Sequence, residues 1–118
     1  MRKARVTGEI SLPAGARVNA KTLARVRLLD TSLADAPAVE VACQQIGGVE
    51  EKLARRETLR FDLTCDRVDP HASYSVQVHV DQNGDGNIKP GDFVNVENCP
   101  VITYGCPETA QVQTNLVL

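Results

Sequence analysis

Between Asp81 and Asp92 the sequence reads D-Q-N-G-D-G-N-I-K-P-G-D. Side chains bearing oxygen recur at Asp81, Asn83 and Asp85, Gly86 follows, and Asp92 closes the loop at position 12. This spacing satisfies the D-x-[DN]-x-[DN]-G template of an EF-hand calcium loop. Ca²⁺ is a hard cation that takes six to eight oxygens, so alternating oxygen donors on a curling loop suit it. The expected ligands are the side chains of Asp81, Asn83, Asp85 and Asp92, with the backbone carbonyl of Asn87. Gly86 would allow the sharp turn, and Ile88 would anchor the loop on the core. Lys89 has no side-chain oxygen, so its place would be filled by water or left empty. Three carboxylates this close repel one another, and a bound cation would stabilise the fold by linkage. The competing reading is a polar connection built on Asn83-Gly84 and Asp85-Gly86, both common hairpin turns.

Two features separate this loop from a calcium sensor. Position 12 is Asp and not the usual Glu, and the preceding residues alternate as a strand and not as a helix. A helix-opening switch therefore has nothing to act on. The expected role of the ion is structural, ordering a loop between strands.

Other chemistry is sparse. The four cysteines are Cys43, Cys65, Cys99 and Cys106, with no C-x-x-C among them. Cys43 and Cys65 read as small core residues on strand faces. Cys99 and Cys106 flank a loop-like stretch and could close a local disulfide. His71 and His79 stand at no spacing that pairs a base with a cysteine nucleophile, and both read as surface histidines. Asp30, Asp35 and Asp66 fall among turns, where Asp bonds backbone amides. No catalytic residues are assigned, and the chain is read as a non-enzyme.

Composition narrows the partners. At 118 residues the chain has room for one domain, here taken as 1–118. Its aromatic residues are Phe61, Phe93, Tyr74 and Tyr104, too few for a base-stacking nucleic-acid module. The net charge of −2 gives no basic footprint either. Residues 1–60 carry eleven Lys or Arg against seven Asp or Glu, and residues 61–118 carry two against eight. This asymmetry reads as a solvated surface; the sharper alternative is a basic patch of Arg2, Lys3, Arg5, Arg25 and Arg27 meeting an acidic partner. No run approaches the ~18 apolar residues of a membrane-spanning helix. Thr7, Gly8 and Glu9 follow the basic start directly, unlike a signal peptide. Read literally this places the chain in the cytoplasm; with a leader trimmed away, the periplasm or outer membrane is equally open.

The elements that must carry these residues have a period of two. Val6, Ile10 and Leu12 alternate with polar residues, as do Ala24, Val26 and Leu28, then Val39, Val41 and Cys43. Leu59, Phe61, Leu63 and Cys65 form a further run, followed by Tyr74, Val76, Val78 and Val80. Phe93, Val94 and Val96 follow the loop, then the brief Val101-Ile102-Thr103, and Val112, Thr114, Leu116 and Leu118 close the chain. The charged stretch 47–58 reads as one helical turn or a loop. Seven or eight short strands with regular turn signals predict an all-β antiparallel sandwich of immunoglobulin or transthyretin-like architecture.

Several strand segments carry a resemblance. They include Val6-Thr7-Gly8-Glu9-Ile10, the stretch Val26 to Ala38 with its V-x-L-x-D-x-S-x-x-D-x-P pattern, and Val41-Ala42-Cys43-Gln44-Gln45. Phe61 to Asp66, Tyr74 to Val78 and Pro100 to Gly105 complete it. Together these are similar to the YbaY/YscW-type family of type III secretion lipoprotein chaperones. The resemblance implies a small β-sandwich of the bacterial cell envelope, and its secretion members act as pilotins for an outer-membrane secretin. An envelope or secretion protein is thus the implied partner, with no catalytic residues to carry over. The sequence departs from the family in lacking a lipid-anchoring Cys near the N-terminus and in carrying the 81–92 loop where many members have a plainer hairpin.

Overall fold

Alternation of apolar and polar residues produces nine strands among the described residues, β1 (Arg2–Ser11), β2 (Leu23–Asp30), β3 (Val39–Ile46), β4 (Leu59–Val68), β5 (Tyr74–Asp81), β6 (Phe93–Val94), β7 (Pro100–Val101), β8 (Thr109–Gln113) and β9 (Asn115–Leu116). One short helix, α1 (Val49–Ala54), lies between β3 and β4 and buries Val49. The structure is a computed structural model, and it describes residues 2–32, 37–69, 71–95, 99–102 and 108–118.

The strands form two sheets, one ordered β4-β1-β8 and the other β3-β2-β5-β6-β9 with β7 also paired to β5. Val6, Ile10, Phe61 and Leu63 from the first meet Val26, Leu28, Val76 and Val78 from the second in one buried cluster. Each such side chain contributes about 1.5–3 kcal/mol on burial. This is the expected β-sandwich, with one difference in pairing. β8 runs parallel to β1, while every other paired strand is antiparallel. The terminal run 112–118 also divides. Thr114 leaves the first sheet by donating from both its amide and its hydroxyl to the Ser11 carbonyl, each at 2.9 Å, and β9 then joins β6 in the second. Period-two reading merges β8 and β9 because the sheet change leaves the alternation intact. Val96 and Thr103, read as strand residues, lie outside the described residues.

Edge strands depart furthest from the sequence reading. Cys43 is exposed and Val39 is 59% exposed, so of this run only the half-buried Val41 packs against the core. Half-buried Ala42 and Gln44 and buried Ile46 stand opposite Leu28, Val26 and Ala24. A bulge between Leu28 and Leu29 shifts the pairing there, so residues on the two sides of the bulge do not keep one face. Cys65 is buried as expected, and Cys43 and Cys99 are free cysteines. Cys106, the expected partner of Cys99, lies outside the described residues.

Beside β5 a side chain takes over from a strand. β6 pairs with His79 and Val80, and β7 with Tyr74 and Ser75. In the interval the Asn95 carboxamide accepts from the Val78 amide at 2.7 Å and donates to the Val76 carbonyl at 3.0 Å. It thereby satisfies the backbone groups that a continuous strand would have met.

Gly8 sits opposite Phe61 in the β1–β4 ladder. A Cβ there would lie 2.2 Å from the Ala110 carbonyl oxygen and 2.5 Å from Phe61 Cζ. Glycine therefore lets the Phe61 ring lie across β1 while β8 closes in. Gly8→Ala is expected to destabilise the fold by about 2 kcal/mol or more through overpacking. Thermal unfolding would show this as a fall in midpoint of roughly 5 °C or more; an unchanged midpoint would contradict the close approach.

Candidate functional site

The last residue of β5, Asp81, is fully buried. Its Oδ1 accepts the amides of Asn83 at 3.1 Å and Gly84 at 3.0 Å. Its Oδ2 accepts the Gly86 amide at 2.8 Å and the Arg25 Nε at 3.4 Å. A carboxylate offers about four lone-pair sites, so these four donors occupy the group. Burial by itself pushes the Asp81 carboxyl up, but the amides of Gly86, Asn83 and Gly84 outweigh it and hold the group below its ordinary value. Gly86 has φ +82°, a left-handed conformation that glycine adopts without strain, which matches its expected role in the turn.

Asp92 closes the loop from the other end and is 1% exposed. Its Oδ1 accepts the Gln82 amide at 3.0 Å, and its Oδ2 accepts the Lys89 amide at 3.1 Å. His79 Nε2 lies 2.7 Å from Asp92 Oδ2 and donates to it in the Nε2-protonated tautomer. His79 is thus a buried partner of the loop and not the surface histidine read from sequence. It faces away from the core with Gln77, and the returning loop covers it. His71 is exposed, as expected.

The expected ligands divide into two groups. His79, Asp81 and Asp92 each offer one ligand atom within 4.8 Å of the others. Asn83, Asp85 and Asn87 are exposed, and Asp85 falls outside that group. Asp85 instead accepts the Asn87 amide at 2.9 Å and makes an ion pair with the Lys89 ammonium. This ion pair lowers the Asp85 carboxyl and raises the Lys89 ammonium from their ordinary values. The loop's carboxylates are therefore met by backbone amides and by two cations of the chain itself, Arg25 and Lys89. A divalent ion would compete with those donors for the same oxygens. Ile88, expected to anchor the loop on the core, is 58% exposed, because Asp81 and Asp92 already secure both ends of the loop.

Gln82 was not legible as a site residue, yet it connects three segments. Its Nε2 donates to the Arg17 carbonyl at 2.6 Å and the Gly91 carbonyl at 3.0 Å, while its Oε1 accepts the Thr22 hydroxyl at 2.6 Å. Nothing in its type or spacing marks it. The expected basic patch also separates. Arg5 lies on β1 and pairs with Asp62, whereas Arg25 and Arg27 lie on β2 in the other sheet. Lys3 is exposed on β1, and the side chain of Arg2 lies outside the described residues.

The fold and site define a small two-sheet β domain whose carboxylate cluster is organised by its own backbone. The chain matches the family described as "Type III secretion system lipoprotein chaperone (YscW)" over residues 1–114, and it belongs to that family. A solved structure of an alternative pilotin from the type II secretion system of Vibrio cholerae is 24% identical, with a TM-score of 0.65. The match covers 94% of this chain and 97% of that one, and it shows a shared fold. Comparison with curated protein sequences finds none that matches.

Removing the Asp81 carboxylate would orphan the amides of Asn83, Gly84 and Gly86. Asp81→Ala is expected to cost about 3 kcal/mol, since hydrogen bonds to a charged group contribute roughly 1.5–3 kcal/mol each. Asp85→Ala should leave stability nearly unchanged, because Asp85 and Lys89 both face water. Urea unfolding in EDTA checks this, and equal effects from the two substitutions would contradict it.

Proposed function

We propose that this chain is a non-enzymatic, pilotin-like chaperone of the bacterial cell envelope that binds a secretin subunit of a secretion system. The family match over residues 1–114 carries this reading, since the family is one of secretion-system lipoprotein chaperones. A fold shared with a pilotin is consistent with it. So is the bonding of the buried carboxylates: the oxygens of Asp81 and Asp92 accept the backbone amides of the loop. Deleting the encoding gene in its host is expected to reduce assembled secretin in the outer membrane, measured as SDS-resistant multimers, and re-expression should restore it. Undiminished multimers in the deletion strain would contradict the proposal.

A second reading assigns Ca²⁺ to the 81–92 loop, with Asp81, Asn83, Asp85, Asn87 and Asp92 as its ligands. The D-x-N-x-D-G spacing favours it, together with the convergence of Asp81 and Asp92 beside His79. An ion that binds only the folded state raises stability by RT ln(1 + [L]/Kd). On this reading millimolar CaCl₂ lifts the thermal midpoint above that in EDTA, MgCl₂ does not, and Asp85→Ala removes the difference. Identical midpoints in EDTA and CaCl₂ would exclude a stabilising ion.

A further inference from the structure

The 81–92 loop holds the one Asn-Gly pair of the chain, Asn83-Gly84, and its one Asp-Gly pair, Asp85-Gly86. Such pairs favour spontaneous succinimide formation, in which the backbone nitrogen of the glycine attacks the side-chain Cγ of the residue before it. Glycine has no Cβ to obstruct the attack and lets the backbone turn toward it. Asn83 and Asp85 are both exposed, so water and hydroxide reach their side chains. By residue type and exposure, both pairs are open to the reaction.

The hydrogen bonds of the loop close them. The attacking nitrogen must lose its proton and then reach Cγ. The Gly84 amide donates to Asp81 Oδ1 at 3.0 Å, and the Gly86 amide donates to Asp81 Oδ2 at 2.8 Å. One carboxylate thus holds both attacking nitrogens. Loss of either proton would leave an amide anion facing a negative charge, which disfavours it. The lone pair so freed would also lie where the N–H bond was, aimed at Asp81 and not at Cγ. Asp81 is fully buried, so water competes poorly for its oxygens. Gly84 is held a second time, because its carbonyl accepts the Arg25 Nη2 at 3.2 Å.

We propose that Asn83-Gly84 and Asp85-Gly86 are latent sites of succinimide rearrangement, and that the Asp81 carboxylate keeps both closed. At Asn83 the bond from Gly84 N to Cγ forms, the Cγ–Nδ2 bond breaks and ammonia leaves. Water then opens the ring on either side, giving aspartate or isoaspartate. At Asp85 the same attack by Gly86 N expels water, and water returns to give aspartate or isoaspartate. Isoaspartate inserts a methylene into the backbone. At Asn83 this would carry the Gly84 and Gly86 amides out of register with Asp81, so the first rearrangement exposes the second pair.

Ageing of the full chain at mildly alkaline pH tests this, folded in buffer and unfolded in urea, with peptide mass spectrometry and chromatography following both pairs. Asn83 is expected to convert at least about tenfold more slowly in the folded chain, the factor that a hydrogen bond to a charged group supplies. Asn87 precedes the branched Ile88 and should stay slow in both states, as an internal control. Hydrogen exchange on the folded parent should show the Gly84 and Gly86 amides protected. Asp81→Asn separates the carboxylate from folding in general, with circular dichroism verifying the fold. A carboxamide has one oxygen where the carboxylate has two, so one glycine amide loses its acceptor. At least one pair should then rearrange about tenfold faster than in the parent. Were Asp81→Asn unfolded, the exchange result on the parent would decide. Equal conversion of Asn83 in folded and unfolded parent, unprotected glycine amides, or a folded Asp81→Asn chain that ages like the parent would overturn the proposal.

Discussion

A buried carboxylate with four donors around it governs the shape of one end of this molecule. Asp81 stands where β5 stops and the loop begins, at zero exposure. Leaving such a charge unpaired in the interior would cost several kcal/mol. The chain answers by curling the next residues so that the amides of Asn83, Gly84 and Gly86 point back at it. That curl directs the loop back over β5, where Asp92 covers His79. It also holds Arg25 through Asp81 and the Gly84 carbonyl. The loop, the buried histidine and the position of Arg25 thus follow from one electrostatic requirement.

Much of this architecture is legible in the residues, and the limits have physical causes. Leu59, Phe61 and Leu63 on β4, and Tyr74, Val76, Val78 and Val80 on β5, are buried on one face as their alternation requires. These strands are long and each buries a full apolar face in the core, so burial enforces their register. Val39, Val41 and Cys43 alternate just as well, but they belong to an edge strand whose pairing is shifted by a bulge. Alternation reports that a face exists and does not say which sheet it serves. For the same reason Arg5 and Arg25 look like neighbours in one basic patch, although β1 and β2 enter different sheets.

The site was half legible. The spacing of Asp81, Asn83, Asp85 and Asp92 identifies a loop that organises around carboxylates, and Gly86 takes the left-handed turn it implies. What spacing cannot supply is the identity of the donors. Backbone amides leave no trace in the sequence, and Gln82 and Asn95 act through carboxamides that any exposed loop might carry. His79 gives a weak signal at most: it lies on the polar face of β5 two residues before Asp81, and only the returning loop buries it.

Both outer faces carry ion pairs that cross strands: Arg5 with Asp62 and Arg60 with Glu9 on β4-β1-β8, and Arg25 with Asp81 and Arg27 with Glu40 on β3-β2-β5-β6. What sets the second sheet apart is the buried Asp81 at the end of β5 and the loop that closes on it. Chemical-shift comparison of the ¹⁵N-labelled parent with Asp81→Asn examines that claim residue by residue. The account predicts shifts at the amides of Asn83, Gly84 and Gly86, with Arg5, Arg60 and Asp62 unmoved. Unmoved loop amides would contradict it.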